Sequence, residues 1–339
     1  MSLSPLTRRR LDKFCKNRRS YYSFWLFLAI FLMTLCAEIV CYHKPFFVSC
    51  EGRLYFPYFI TYSDSDFGGT LPTEVDYKDP YTQDYIISKG GWMVWAPVRY
   101  RYDTVNLERS APSPPSFENP LGTDDQGRDV LARLMYGFRL SLSFGLILMA
   151  CSALLAIAAG AFQGYFGGGV DLLMQRFIEL WSGLPVLFLL IVLSSFVRPT
   201  LWWLLGIMLL FSWMGLSSIV RAEFLKVRQY DYVKAAQVLG VPSFRIIVRH
   251  MLPNAMVATL TYLPFLLNHS IAMLTSLDFL GLGLPPGSPS LGELLQQGKN
   301  NLHAPWLGIS AFLSISMVLM LITFIGEGLR NAFDPRSEG

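Results

Sequence analysis

The sequence predicts an all-α membrane protein of six spanning helices with one large polar insertion between the first and second. Hydrophobic residues make up 53% of its 339 positions and charged residues only 15%. The hydrophobic residues gather into six blocks of about 20, the length that crosses a hydrocarbon layer of ~30 Å. Between the first two blocks, residues 44–136 contain no apolar run long enough to span. A single soluble core does not explain this distribution.

The N-terminal tail, residues 1–20, carries Arg8, Arg9, Arg10, Lys13, Lys16, Arg18 and Arg19 against one acid, Asp12. It reads as a cytoplasmic tail; no aromatic platform is interleaved with the charges, which argues against nucleic-acid binding. Tyr21–Cys41 is the first span, within a segment drawn as residues 21–43. Its apolar run is too long for the core of a cleaved leader and has no small-x-small cleavage site, so an uncleaved anchor is expected. The insertion is rich in Tyr, Asp, Pro and Gly. Tyr55–Tyr62 and Trp92–Tyr102 alternate as short strands do, and Ser110–Pro115 is a proline-rich spacer.

Five further spans follow at about Leu140–Gln163, Phe177–Val197, Leu201–Val220, Ala255–Ser276 and Trp306–Ile325. The two tails and the loops Gly164–Arg176 and Arg221–Asn254 hold sixteen Lys and Arg, seven in the first tail and six in the long loop; the short loops opposite hold only Arg198 and Lys299. That bias places both termini, residues 330–339 included, and the 221–254 loop in the cytoplasm, and the insertion on the far side. Gly145, Gly160 and Gly164, then Gly183-Leu184-Pro185, then Pro264 allow close helix approach or kinks inside the 137–329 membrane domain. Glu38 and Glu179 lie toward span ends, and no central chain of carboxylates or histidines marks a proton relay. On the fifth span Tyr262, Asn268, His269 and Thr275 could line a polar path or simply bond neighbouring helices.

Tyr230–Asn254 is the polar interlude of the hydrophobic C-terminal two-thirds. Asp231 can cap a short helix that stops at Gly240, and Ser243 can cap a second, Phe244–Met251, ending at Pro253. Two short helices joined at a glycine make a compact knob for a groove on a partner. The spacing Ala235-Ala236, Gly240 and Leu252-Pro253 resembles the cytoplasmic EAA loop of ABC importer permeases, the segment that contacts the ATPase; the match is to the second permease subunit of the dipeptide/oligopeptide type. Lys234 stands at the family's acidic position and His250 at its isoleucine, although Arg-His-x-Leu-Pro-Asn is usual in the peptide branch.

Other words point the same way. Asn119-Pro120-Leu121-Gly122-Thr123-Asp124-Asp125-Gln126-Gly127-Arg128-Asp129 resembles the segment before the second span of peptide permeases. Leu277–Pro286 with Pro289-Ser290-Leu291-Gly292-Glu293 is similar to the family's LSFLGLG-to-SWG segment, with Asp278 and Leu291 replacing the usual serine and tryptophan. Gly326-Glu327-Gly328-Leu329-Arg330 and Phe333-Asp334-Pro335-Arg336 match its cytoplasmic terminus. Within the insertion, Phe67–Glu74, Lys89–Met93 and Ala111–Ser116 resemble Yej-type importers of peptides and of the peptide-nucleotide antibiotic microcin C.

The resemblance implies an ABC type I importer fold in the bacterial inner membrane, a pathway shared with a second permease, and cargo delivered by a periplasmic peptide-binding protein. It implies ATPase coupling through Tyr232, Lys234, Ala235, Ala236, Gly240, His250, Leu252 and Pro253, and binding-protein contact through Asp278, Phe279, Gly281, Gly283 and Pro285. ATP and Mg would sit on two ATPase subunits or one fused ATPase, because this chain has no G-x-x-x-x-G-K-[ST] loop. No cofactor, metal site or catalytic residue is expected: the five cysteines and four histidines form no ligand pattern, and only Cys41 and Cys50 could share a disulfide. Beyond membrane lipid, no other partner is implied. An ion-coupled secondary transporter and a membrane scaffold without transport are the alternatives; the first lacks relay residues, and peptide uptake by reconstituted vesicles separates both from the importer.

Overall fold

The computed structural model describes residues 5–70, 72–106, 110–197 and 199–333. Leu71, Arg198 and Asp334-Pro335-Arg336, which enter the readings above, lie outside them. The chain forms two compact units. One comprises Met1–Phe31, Leu140–Pro286 and Phe312–Gly339, the other Leu32–Arg139 and Gly287–Ala311.

The helices are α1 (Pro5–Lys16), α2 (Arg18–Leu35), α3 (Ala37–Val40), α4 (Pro80–Ser88), α5 (Val130–Phe166), α6 (Gly168–Ser182), α7 (Val186–Ser194), α8 (Leu201–Val227), α9 (Asp231–Val238), α10 (Ser243–Arg245), α11 (Leu252–Phe279), α12 (Leu291–Asn300) and α13 (Pro305–Phe333). Among the described residues, four helices are long and apolar enough to cross a membrane: α5, α8, the run Ser243–Phe279 and α13. The expected third span is not one straight helix. α6 and α7 meet at 61° across Gly183-Leu184-Pro185, where proline can neither donate a backbone bond nor fit a straight helix. Counted as one broken span, the bent pair brings the number to five. The first expected span corresponds to α2, which is not among these helices: it starts on Arg18 and Arg19, is 18 residues long and breaks at Cys36 before the four residues of α3, so four or five apolar spans stand where six were expected.

α5 is 37 residues long, about 55 Å at 1.5 Å per residue, and begins ten residues before the expected Leu140. Gly160 and Gly164 are one turn apart on it, and both face α8. A Cβ at Gly160 would lie 2.7 Å from the Ser217 carbonyl and 2.7 Å from the Val220 Cβ; one at Gly164 would lie 2.9 Å from the Arg221 carbonyl. This small-xxx-small step lets the two backbones touch. Beside it Ala153, Ala156, Leu216, Val220, Phe224 and Leu266 form a core that continues into the knob.

In the second unit, β1 (Phe47–Cys50) lies between β2 (Arg53–Tyr55) and β3 (Trp92–Val94), antiparallel to both, with Val48 opposite Tyr55 and Met93. Glu51 and Gly52 both have positive φ, as a two-residue hairpin turn of type I′ requires. The expected strands Tyr55–Tyr62 and Trp92–Tyr102 survive only at their first residues, because Pro57 and Pro97 remove ladder donors. α4 starts where the Asp79 carboxylate accepts the Tyr81 N–H with Pro80 in the first turn. Val48, Cys50, Phe67, Val75, Tyr77 and Ile86 form the core beneath the sheet. Cys41 packs in a separate cluster with Val98 and Tyr136. Both Cys41 and Cys50 are free thiols.

Candidate functional site

The knob grows from the end of α8. Lys226 and Arg228 mark its exit, and Tyr230, extended at ψ 143°, is the N-cap of α9. Asp231 is the first helical residue and makes no side-chain cap, contrary to the expectation; its charge still complements the helix N-terminus. Val233 and Ala236 are buried in the core with Phe224, Ile246 and Met251. The next-door residues Tyr232, Lys234 and Ala235 are exposed, so of the paired alanines one anchors the helix and the other faces outward.

α9 ends as the glycine spacing predicts. Gly240 adopts φ +70°, the Gly240 N–H donates to the Gln237 carbonyl and the Val241 N–H to the Ala236 carbonyl, at 3.0 and 3.1 Å. This is the Schellman termination, which glycine adopts without strain. No atom lies within 4 Å of a Cβ built there. Gly240 is therefore required by its backbone angle, with open space around it.

The second half of the knob departs from the expectation. Pro242, not Ser243, precedes α10, and the Ser243 hydroxyl instead accepts the Tyr165 hydroxyl at 3.0 Å. The helix does not stop at Pro253. Ile246–Met251 forms a π-helical turn in which the Leu252 N–H donates to the Ile247 carbonyl, and the chain runs straight on into α11. The wider turn accommodates a proline that cannot donate to the preceding turn. Asn254 donates its amide to the Tyr232 hydroxyl at 2.6 Å, and that hydroxyl donates to the His250 carbonyl at 3.4 Å, lacing α9 to the turn. Leu252 is half-buried and Pro253 exposed. The tip is apolar: Val238, Leu239 and Phe244 are 88%, 81% and 77% exposed. Sequence reasoning passed over these three, whose signal was large apolar residues flanking a glycine outside any span.

At the other end of α11 a second Schellman turn forms on Gly281, φ +74°, with the Leu282 N–H donating to the Leu277 carbonyl. The buried Asp278 carboxylate accepts the Leu284 N–H at 2.8 Å, and a Cβ on Gly283 would overlap that carboxylate. Asp278 and Gly283 thus shape the loop from inside, Phe279 is half-buried, and Gly281 and Pro285 are exposed.

The four polar residues of α11 fall on two rows. Asn268 donates to the Thr323 hydroxyl at 3.0 Å, and Thr275, seven residues on, is buried with its hydroxyl unpartnered. Tyr262 and His269 occupy the adjoining row, where His269 is exposed. The structure does not bring the four together.

One constellation was missed. Arg133 is fully buried; its Nη2 donates to Glu293 at 2.9 Å and to the Ser288 carbonyl at 3.0 Å. Arg128 bonds Asp124 at 2.7 Å through Nε and Glu293 at 3.1 Å through Nη2. The Asn119–Asp129 and Pro289–Glu293 words are therefore bound to each other by ion pairs. An arginine within an apolar helical run was the available signal.

Long apolar helices that carry an apolar-tipped knob where α8 leads to α11, and a shaped glycine loop where α11 ends, are the architecture of a multi-pass membrane permease subunit. Residues 153–339 match the family model described as binding-protein-dependent transport system inner membrane component, and the chain belongs to that family. It is 57% identical to the inner membrane ABC transporter permease protein YejE of Escherichia coli over 98% of each chain. It is 52% identical to the peptidoglycan transport system permease protein YejE of Agrobacterium fabrum, over 98% of this chain and 94% of that one. The oligopeptide transport system permease protein OppC of Haemophilus influenzae is 34% identical over 71% of this chain and 77% of its own. The chain is an inner-membrane, multi-pass permease subunit of an ABC importer.

Proposed function

We propose that the chain forms, with a second permease, the translocation pathway of an importer of peptides and peptide-bearing conjugates such as microcin C-like compounds. A periplasmic binding protein delivers the cargo, and two ATPase subunits or a fused one, holding ATP and Mg, drive the cycle. Names of relatives support the cargo class: OppC for oligopeptides, DppC of Bacillus subtilis for dipeptides, and one YejE for peptidoglycan. The observation that carries the coupling role is the exposed tip Val238, Leu239 and Phe244 around Gly240, mounted on the buried Val233 and Ala236. Apolar side chains outside a span cost least when a partner covers them.

In this reading Tyr232, Lys234, Ala235 and the tip contact the ATPase. Ala236, Gly240, His250, Leu252 and Pro253 hold the knob's shape and join it to α11. The continuous run from the π turn into α11 makes the knob a lever: force on α9 reaches Tyr262 and His269, which face the pathway, while Asn268 and Thr275 tie α11 to its neighbours. Nucleotide acts by favouring one helix arrangement over the other. Phe279, Gly281 and Pro285 receive the binding protein, on a loop that Asp278 and Gly283 hold in place. Both termini and the 221–254 loop face the cytoplasm, and the 44–136 insertion and the Gly281 loop face the periplasm.

The test is affinity purification in mild detergent of the intact chain beside Ala235→Glu and Leu239→Glu variants, with associated chains identified and ATP hydrolysis assayed. Recovery of a second permease with all forms, and of an ATPase with the intact chain alone, is the expected result. Equal ATPase recovery and hydrolysis with both variants would remove the coupling role.

A further inference from the structure

A groove of about 720 Å³ opens in the first unit between α1, α2, α11 and α13, within the size range of small-molecule sites. Its walls are Leu11 and Phe14 of α1, Phe24 of α2, Leu263 and Leu267 of α11 and Leu329 of α13. The position is fixed by close packing: a Cβ on Gly328 would meet Phe14 at 3.0 Å and would overlap Ser20. Both α11 and α13 belong to helical runs apolar enough to cross a membrane. The groove takes the middle turns of α11, residues 260–267, and the last turns of α13, so it runs from the middle of the spans to the end where α13 meets α1.

The rim is cationic. Arg10 lines the groove, its guanidinium 4.5 Å from the centre of the Phe333 ring, a favourable cation–π placement. Arg8, Arg9 and Lys16 on the same helix and Arg18 and Arg19 at the start of α2 are exposed, and the only acid on α1 is Asp12. An apolar slot beneath a strip of cations is complementary to an amphiphile with a negative head. A clustered basic segment beside membrane helices attracts anionic headgroups, and an amphipathic helix lies in the interface plane where such heads are found.

We propose that this groove binds an anionic phospholipid, one acyl chain between α1 and α11 and its phosphate against the Arg8–Arg10 guanidinium groups. Charge decides between the possible occupants: a second permease would have to bring a matching row of carboxylates to α1, whereas the lipid carries its negative charge next to its apolar chain.

The full chain, purified in mild detergent with whatever subunits accompany it, is exposed to phosphatidylglycerol or phosphatidylcholine of the same acyl composition, and retained lipid is counted by native mass spectrometry. Phosphatidylglycerol should be retained at least about tenfold better, and Arg8→Gln/Arg9→Gln/Arg10→Gln should abolish that preference, since each cation near the surface contributes measurably to anionic-lipid attraction. Leu263→Trp, which fills the slot, should lower retention of both lipids while the melting temperature holds, and soluble glycerol phosphate should not compete. Equal retention of the two lipids, or a preference untouched by the arginine substitutions, would overturn the proposal. So would shielding of Cys15, exposed at the same groove, from maleimide by the second permease in lipid-stripped complex, which would make the groove a subunit interface. None of these outcomes depends on ATPase coupling, so the two readings fail separately.

Discussion

Gly160→Ala tests the packing of α5 on α8 with one methyl group. The added Cβ would meet the Ser217 carbonyl at 2.7 Å, the Val220 Cβ at 2.7 Å and the Arg221 amide nitrogen at 2.9 Å. Ordinary contact begins at 3.4 Å, so the helices must part by about 0.7 Å, and none of the three atoms is the free end of a side chain. Overpacking of a tight core typically costs about 1–3 kcal/mol, and three rigid neighbours place this site in the upper half. Against that, alanine is better than glycine in a helix by about 1 kcal/mol, leaving a net loss of about 1–2 kcal/mol. Gly206→Ala in α8 isolates the second effect, because no atom lies within 4 Å of its Cβ; it should stabilise by up to about 1 kcal/mol. Thermal unfolding of the purified chain in detergent, followed by tryptophan fluorescence, should rank Gly206→Ala at or above the native chain and Gly160→Ala below it. If Gly160→Ala melted as high as Gly206→Ala, the backbone contact between α5 and α8 would be wrong.

Two further outcomes follow from the second unit. Glu293→Gln removes one of the two carboxylates that face Arg128 and Arg133 and leaves Asp124 to both; losing one partner of a buried pair costs up to about 3–5 kcal/mol, the remaining carboxylate puts this loss at or below the lower end, and limited proteolysis in the Asn119–Asp129 segment should accelerate. The buried Asp129 carboxylate accepts the Ala132 N–H at 2.7 Å and the Asn119 amide at 2.8 Å, and burial holds its pKa above the ordinary 3.8. A raised acid contributes stability that is complete below pH 3.8 and lost as pH rises through its folded value. Asparagine caps a helix about as well as aspartate, so Asp129→Asn should remove that decline, read as a flatter dependence of melting temperature on pH above 3.8 than in the native chain.

What the sequence made legible was whatever depends on local composition. Block length marked the four long apolar helices and the bent pair, though not α2 as a span of its own, Gly240 and Gly281 marked helix ends because both need positive φ, and Gly183-Leu184-Pro185 marked a break, although its 61° bend required the structure. The failures share a cause. Pro253 looked like a terminus because a local rule sees only the missing donor, whereas the π turn ahead of it, with Ile246 and Met251 buried, lets the helix continue. Asp231 and Ser243 looked like caps for the same reason, and each gave way to the residue before it. The ion cluster was hidden by distance: Arg133 and Glu293 are 160 positions apart, and neither word predicts the other.

Tertiary context also changes what the site residues are for. Alanines 235 and 236 read as one small face, but α9 turns them to opposite tasks, one outward and one into the core beside Phe224. The same division recurs beyond α11, where Asp278 and Gly283 are buried and Gly281 and Pro285 are exposed. A substitution at Ala235 or Pro285 therefore changes a surface, while one at Ala236 or Asp278 changes the element that presents it. Loss of transport from the first pair with unchanged melting temperature, and from the second pair only together with lowered melting temperature, is the pattern that this arrangement requires. If Asp278→Ala abolished transport without lowering the melting temperature or loosening the 281–285 loop in hydrogen exchange, the carboxylate would contact a partner directly, as the sequence alone suggested.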